Sequence, residues 1–337
     1  MTILLAVVAG GALGYVLARG DFCFHSTWRG LLDSPPSADL LRAYLLLLLI
    51  ATPVVSAMRA LGWIEPSIPS FAWRAAVVGG LVFGVGMVIA SSCITGFFYK
   101  LGHGMVGAAV GIGAWAAGDV VTYRGPLSGW RDDLNADPTT VDGAAATATN
   151  CGGAGGVGLV VLIGAGIAIF VWRSRRRDRG QLWSWMVLGS AAAMVTSVAW
   201  LLAEVHGTDY TFGTSSLPTA VWDWLTGGGL GSRWLLVGLL SIIPGSFLAA
   251  SRVGTLWVRG ERSRRYAQLA AGGFVMGVGA AVAGGCNLGH SMVGVPLLSL
   301  ASITTTVAMV GGVVIADRVV KNRPGRRPRD RSLQRSS

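Results

Sequence analysis

The sequence predicts an all-α integral membrane protein of about nine transmembrane helices plus short broken half-helices, arranged as an inverted internal repeat. Three observations predict it: an apolar composition, basic residues clustered beside apolar spans, and a glycine–cysteine motif that occurs twice. Of the 337 residues, 52% are hydrophobic and 13% charged, and the chain holds 50 glycines and 13 tryptophans. A soluble domain carries about 25% charge and about 7% glycine. Abundant glycine in membrane helices permits close backbone approach, and polar backbone lining a cavity.

The elements follow in chain order. A bilayer core of about 30 Å needs about 20 apolar residues to cross it. Segments of that kind run over Ile3–Ala18, Leu40–Leu61, Ala75–Ser91, Met105–Thr122, Gly155–Trp172, Leu182–Ala203, Trp234–Ser251, Ala267–Gly284 and Thr304–Val320. No basic region precedes Ile3–Ala18 and no clean cleavage site follows it, so it reads as a retained first helix and not a signal peptide. The stretch Asn287–Ser302 is apolar but interrupted by glycine and Pro296, which suits one or two half-helices. The whole chain reads as a single membrane transport domain. Repeat half one covers about 1–122, an external loop 123–153, linking helices 154–233, repeat half two about 234–320, and a basic tail 321–337.

Charge sets the expected topology. Basic clusters fall at Arg173, Arg175, Arg176, Arg177 and Arg179, at Arg252, Arg259, Arg262, Arg264 and Arg265, and at Lys321, Arg323, Arg326, Arg327, Arg329, Arg331 and Arg335. Each borders an apolar span, which marks cytoplasmic flanks in contact with anionic lipid and argues against nucleic-acid binding. The C-terminus is therefore expected inside the cell. Tyr123–Gly153 carries Asp132, Asp133, Asp137 and Asp142 against Arg124 and Arg131, and reads as outside. Glu204–Arg233 has one arginine and three acids, with Tyr210, Trp222 and Trp224 suited to an interfacial belt, and also reads as outside. Asp119 and Asp317 lie at segment ends and read as interface residues.

The repeat carries the chemistry. Gly79-Gly80-Leu81-Val82-Phe83-Gly84-Val85-Gly86 leads through Ala90-Ser91-Ser92 to Cys93. Gly272-Gly273-Phe274-Val275-Met276-Gly277-Val278-Gly279 leads through Ala283-Gly284-Gly285 to Cys286, 193 residues further on. Leu101-Gly102-His103-Gly104-Met105-Val106-Gly107 then pairs with Leu288-Gly289-His290-Ser291-Met292-Val293-Gly294 at an offset of 187, so the first copy carries six extra residues. By the charge assignments the second copy begins and ends inside, whereas the first runs into an outer loop. The copies are then opposite in orientation, which brings both cysteines toward a common centre. A weaker third match runs from Gly10-Gly11-Ala12-Leu13-Gly14 to Arg19-Gly20-Asp21-Phe22-Cys23-Phe24.

A helix that ends within the bilayer leaves up to four backbone groups unbonded. Lipid cannot satisfy them, so such a break lines a cavity or is buried in protein. Half-helix N-termini facing a cavity favour an anion. A thiol is a weak donor with a polarisable sulfur, suited to passing a soft anion onward without holding it. Conduction needs such weak successive sites. A single buried cysteine often only packs; a repeated motif carries more weight. Candidate binding residues are Cys23, Cys93 and Cys286, with Gly96, Asn287, Gly289, His103, His290 and Lys100. His103 and His290 also suit turn or interface positions, Lys100 also suits snorkelling, and Asn287 also suits a helix cap. No metal ligand is assigned, because no CxxC pair occurs and the Cys–His spacings differ. No nucleotide-binding loop, Walker motif or paired intramembrane carboxylates occur, and no cofactor is called for. Cys151 sits in a polar loop and is given no role.

The motifs Gly20-Asp21-Phe22-Cys23-Phe24, Ser91-Ser92-Cys93-Ile94-Thr95-Gly96 and Gly284-Gly285-Cys286-Asn287-Leu288-Gly289-His290 resemble the YeeE/YedE family of membrane sulfur-compound transporters, as does Tyr210-Thr211-Phe212-Gly213. The resemblance spans nearly the whole chain. It implies an hourglass-shaped inner-membrane protein built from inverted repeats, without enzymatic activity. It implies thiosulfate as substrate, handed along by S–H hydrogen bonds from Cys23, Cys93 and Cys286. Selenium compounds are the alternative cargo within the family. The basic tail in place of a fused sulfur-carrier domain leaves a separate soluble sulfurtransferase as a candidate partner. A sulfur-transfer protein working through cysteine persulfides, and a non-transporting membrane subunit, are the competing classes.

Overall fold

The computed structural model describes residues 2–33, 36–141, 143–173, 182–214, 216–229 and 231–322. The expectations resting on Asp142, on Arg175, Arg176, Arg177 and Arg179, and on the tail from Arg323 onward fall outside the described residues.

The described residues are mostly helical. Helix α1 (Thr2–Gly20) breaks at Asp21 and continues as the short α2 (Phe24–Arg29) and a 3-10 turn, Gly30–Leu32. Then come α3 (Asp39–Ala60), α4 (Trp73–Ala90), the short α5 (Ile94–Gly102) and α6 (Gly107–Arg124). A connector follows with α7 (Ser128–Asn135) and the hairpin β1 (Thr140–Val141) and β2 (Ala144–Ala145). The remainder is α8 (Gly153–Trp172), α9 (Trp185–His206), α10 (Leu217–Leu225), α11 (Arg233–Val253), α12 (Ser263–Ala283), a π-helical turn at Leu288–Gly294, and α13 (Leu300–Lys321).

Each apolar segment picked out in the sequence is helical, with shifted ends. Helix α9 starts at Trp185, three residues later than the apolar run, because the Ser184 hydroxyl caps the Val187 amide. Helix α13 starts earlier, at Leu300, because Ser299 caps Ser302. Among the described residues, eight helical stretches are long and apolar enough to cross a membrane, two of them the broken runs Ile3–Leu32 and Trp73–Gly102. Helix α6 falls outside that group: it is built largely of glycine, alanine and valine and ends in Asp119, Thr122, Tyr123 and Arg124. It packs chiefly on α12, with α5 and α10 beside it.

Glycine sets the directions of the packed pairs. On α4, Gly79 faces Gly279 and Ala283 of α12, while Gly86 faces Gly272 and Met276, so the two motif-bearing helices run antiparallel. Gly80 faces Thr305 and Ala308, and Gly84 faces Met309 and Gly312, so α4 runs parallel to α13. Gly273 faces the backbone of Gly111, and Gly118 faces Phe274 and Gly277, so α6 runs parallel to α12. Gly10 and Gly14 lie on the backbone of Gly238 and Ile242, which sets α1 parallel to α11. At most of these contacts a Cβ would overlap backbone atoms of the neighbour, so van der Waals contact runs main chain to main chain.

The two carboxylates at segment ends are buried in protein contacts. Asp119 is fully buried, and its Oδ1 accepts from the Thr219 hydroxyl and amide at 2.7 and 3.2 Å. Asp317 is 3% exposed and pairs with Lys321 at 2.6 Å and Arg29 at 3.5 Å. Lys321 is one turn from Asp317 on α13, whereas Thr219 and Arg29 come from distant segments, which no local pattern reveals.

Candidate functional site

The three cysteines are reached by one backbone device used three times. Helices α1, α4 and α12 each stop at a residue in the left-handed region: Asp21 (φ 46°), Ser91 (φ 50°) and Gly284 (φ 81°). The next amide bonds back five residues: Phe22 to Leu17 at 2.9 Å, Ser92 to Met87 at 3.2 Å and Gly285 to Ala280 at 2.9 Å. That is the Schellman stop, which satisfies the last carbonyls of a helix. The following residue is the cysteine in each case. Its carbonyl opens a new helical turn, accepting from Thr27, Phe97 and His290 at 2.9, 3.0 and 2.9 Å. Each cysteine thus sits at the joint between a long helix and a short one. Ser91 and Gly284 are repeat-equivalent. Asp21 shows that the weaker third sequence match shares their geometry.

The joints of Cys23 and Cys93 meet. Their sulfurs lie 3.4 Å apart, the Cys93 amide donates to Cys23 Sγ at 3.4 Å, and the Gly96 amide donates to Cys93 Sγ at 3.3 Å. A Cβ on Gly96 would come within 2.6 Å of Ser92 Oγ and 3.0 Å of Cys23 Sγ, so only glycine leaves the thiols this close. Lys100 folds back from the end of α5 and donates to Ser92 Oγ at 3.2 Å, placing a cation one residue from Cys93. Tyr99 beside it donates to Asp21 at 2.7 Å. The six extra residues of the first repeat lengthen α5 and carry Lys100 into place.

Cys286 forms the second centre. The Leu288 amide donates to its sulfur at 3.2 Å, and Thr214 lies against it. Asn287 Nδ2 donates to Thr95 Oγ1 at 3.2 Å, which joins this centre to the turn just after Cys93. The Asn287 Oδ1 is buried without a partner among the described residues. Gly289 faces the Tyr210 hydroxyl, which donates to its carbonyl at 3.1 Å. All three cysteines are fully buried.

The repeat-equivalent histidines occupy different settings. His290 is buried, with Nε2 at 3.1 Å from the Ala283 carbonyl and Nδ1 at 3.0 Å from Ser302 Oγ. A carbonyl only accepts, so Nε2 carries the proton and Nδ1 accepts from the serine. The ring thereby holds the π-helical turn to the end of α12 through Nε2 and to α13 through Nδ1. His103 closes α5, half-buried and edge-on to Tyr99 at 6.0 Å, and its Nε2 has no partner among the described residues. The residue pattern does not single out Thr95, Ser92, Thr214 or Tyr44, whose hydroxyl donates to the Ser291 carbonyl at 3.0 Å. Thr95 stands inside the Cys93 motif, which is the signal that could have found it.

Comparison with known proteins follows the same stretch of chain. The chain is 26% identical to the thiosulfate transporter TsuA of Escherichia coli (strain K12), over 97% of each chain. It is 27% identical to the thiosulfate transporter TsuA of Spirochaeta thermophila, over 91% of this chain and 95% of that one. A shorter match, 33% over 105 residues, links it to the probable transporter YedE of Salmonella typhimurium. The sulphur transport family model matches residues 19–315, taking in all three cysteine joints, and the chain belongs to that family.

Proposed function

We propose that this protein imports thiosulfate, or a closely similar small sulfur anion, across the plasma membrane along a path marked by Cys286, Cys93 and Cys23. The observation that carries the reading is the tripled joint: three thiols, each between a long and a short helix, two of them 3.4 Å apart and the third tied in through Asn287 and Thr95. The TsuA relatives, named as thiosulfate transporters over nearly their whole length, supply the cargo. Weak thiol donors in series suit passage better than capture, because each site releases as readily as it binds. Lys100 attracts the anion, and Gly96 and Gly289 keep side chains out of its way.

The antiparallel packing of α4 on α12, with α4–α13 and α6–α12 each parallel, supports an inverted repeat about a centre near Thr95 and Asn287. In this reading Cys286 lies toward the outside, Cys23 and Cys93 toward the cytoplasm, and the C-terminus inside. Anionic lipids hold the basic flanks, and a soluble sulfurtransferase takes the product.

The test is uptake of labelled thiosulfate in cells lacking other sulfate and thiosulfate importers. Uptake should depend on this protein and fall to background in Cys286→Ala and Cys93→Ala, with membrane insertion unchanged. Normal uptake by both variants would sink the proposal. Uptake of a selenium anion in place of thiosulfate would move the cargo and keep the path.

A further inference from the structure

Between α9 and α10 the chain does something no external loop needs to do. Glu204, Asp209 and Ser216 are exposed, yet Thr211, Phe212 and Thr214 between them are at most 2% exposed, and Gly213 is buried with them. This stretch has neither helix nor strand. It dips into the protein and back out, and Thr214 lands against Cys286.

Backbone holds the segment where the Ser67 amide donates to the Asp209 carbonyl at 2.8 Å, and side chains fasten it further. Trp234 Nε1 donates to the Thr211 carbonyl at 2.7 Å, which ties it to α11. The Thr219 hydroxyl and amide donate to Asp119, which ties the start of α10 to α6. The Tyr210 hydroxyl donates to the Gly289 carbonyl at 3.1 Å. The Trp234 and Thr219 bonds anchor the segment to long helices at its flanks. Of these side-chain bonds, only that of Tyr210 ties it to the turn that carries Cys286. Gly207, with φ 77° at the end of α9, supplies a bend that few side chains tolerate.

We propose that Tyr210–Thr214 is the outer gate of the path, with the Tyr210 hydroxyl as its latch on Gly289. This rests on the transport reading above and on the placement of Glu204–Arg233 outside. An anion arriving from that side meets this segment before Cys286, which is fully buried beneath it. An irregular segment with few backbone bonds of its own opens at lower cost than the helices around it. Opening breaks the Tyr210–Gly289 bond while the Trp234 and Asp119 anchors hold.

The experiment reads the thiol directly. In a Cys151→Ala background, intact cells are treated with a membrane-impermeant maleimide, and modification of the Cys286 peptide is followed by mass spectrometry. Tyr210→Phe keeps the ring edge-on to Trp200 and removes only the hydroxyl. It should label Cys286 roughly three- to tenfold faster than the parent, the shift expected for one lost net hydrogen bond. Equal rates would overturn the gate. Hydrogen–deuterium exchange on the native protein gives a second reading that needs no variant. Amides of 210–214 should exchange faster than those of α9 and α11, and equal protection would count against the proposal. Labelling needs no transport, so the two readings separate. Faster labelling with no thiosulfate uptake by either protein keeps the gate and removes the cargo. Cys286-dependent uptake with unchanged labelling keeps the cargo and removes the gate.

Discussion

At the scale of single residues, Gly96 and Asn287 carry the sharpest expectations. The Gly96 position is crowded by Ser92 Oγ at 2.6 Å, Cys23 Sγ at 3.0 Å and Cys93 Sγ at 3.4 Å from where a Cβ would stand. Gly96→Ala should therefore push the two thiols apart while leaving α5 helical, since alanine favours helix. Labelled-thiosulfate uptake should fall by roughly tenfold or more, the scale of a displaced contact at a reacting geometry, with membrane insertion unchanged. Uptake equal to the parent would show that the 3.4 Å spacing is not used. Asn287→Ala removes the bond to Thr95 and leaves that hydroxyl without its partner. A thermal unfolding scan in detergent should show a loss of about 1–2 kcal/mol. An unchanged midpoint would mean that the two centres are held together elsewhere.

At the scale of elements, the close helix pairs make a paired prediction. A side chain at Gly14 would overlap the backbone of Ile242 in α11, so Gly14→Val should force α1 off its neighbour. Overpacking of this kind costs about 1–3 kcal/mol or more. Gly113, on α6, has no atom within 4 Å of the position of a Cβ. Gly113→Ala should be neutral or stabilise by up to about 1 kcal/mol. Detergent-solubilised protein followed by thermal unfolding distinguishes the two. Equal shifts would show that glycine is chosen for flexibility and not for approach. The glycine runs were conspicuous in the sequence, and they did mark helix contacts. Which helix each glycine would meet was not legible, because glycine carries no side chain from which a partner could be read.

At the scale of the whole molecule, topology is the expectation to test. In the proposed orientation, Cys151 in the connector before α8 lies outside, exposed and free. An impermeant maleimide should modify it in intact cells, whereas a cysteine placed just after Lys321 should react only after permeabilisation. The reverse pattern would invert the path and place Cys286 toward the cytoplasm. The end of α13 has its own buckle. Asp317 holds Arg29 and Lys321, and Lys321 also donates to the Leu32 carbonyl at 2.9 Å. Asp317→Asn should loosen α2 from α13, at a cost of about 1 kcal/mol because both cations are nearly half exposed. Thermal unfolding measures it.

The sequence by itself determined the solvent, the helices and the joints. Apolar length fixes helices in lipid, since only internal hydrogen bonding satisfies the backbone there. The glycine–cysteine repeat located Cys93 and Cys286 at breaks, and a local helix-stop geometry at Asp21, Ser91 and Gly284 makes those breaks. Such a stop involves only neighbouring residues, so it leaves a local trace. Tertiary structure alone decided which breaks meet. The Cys23–Cys93 contact spans 70 residues and the Asn287–Thr95 bond 192. The burial of Asp119 depends on Thr219, a hundred residues away, and the cover over Cys286 on a loop that charge marked only as external. Those contacts arise from the mutual packing of α4, α12, α6 and α13, and no periodicity along one segment encodes the register between two.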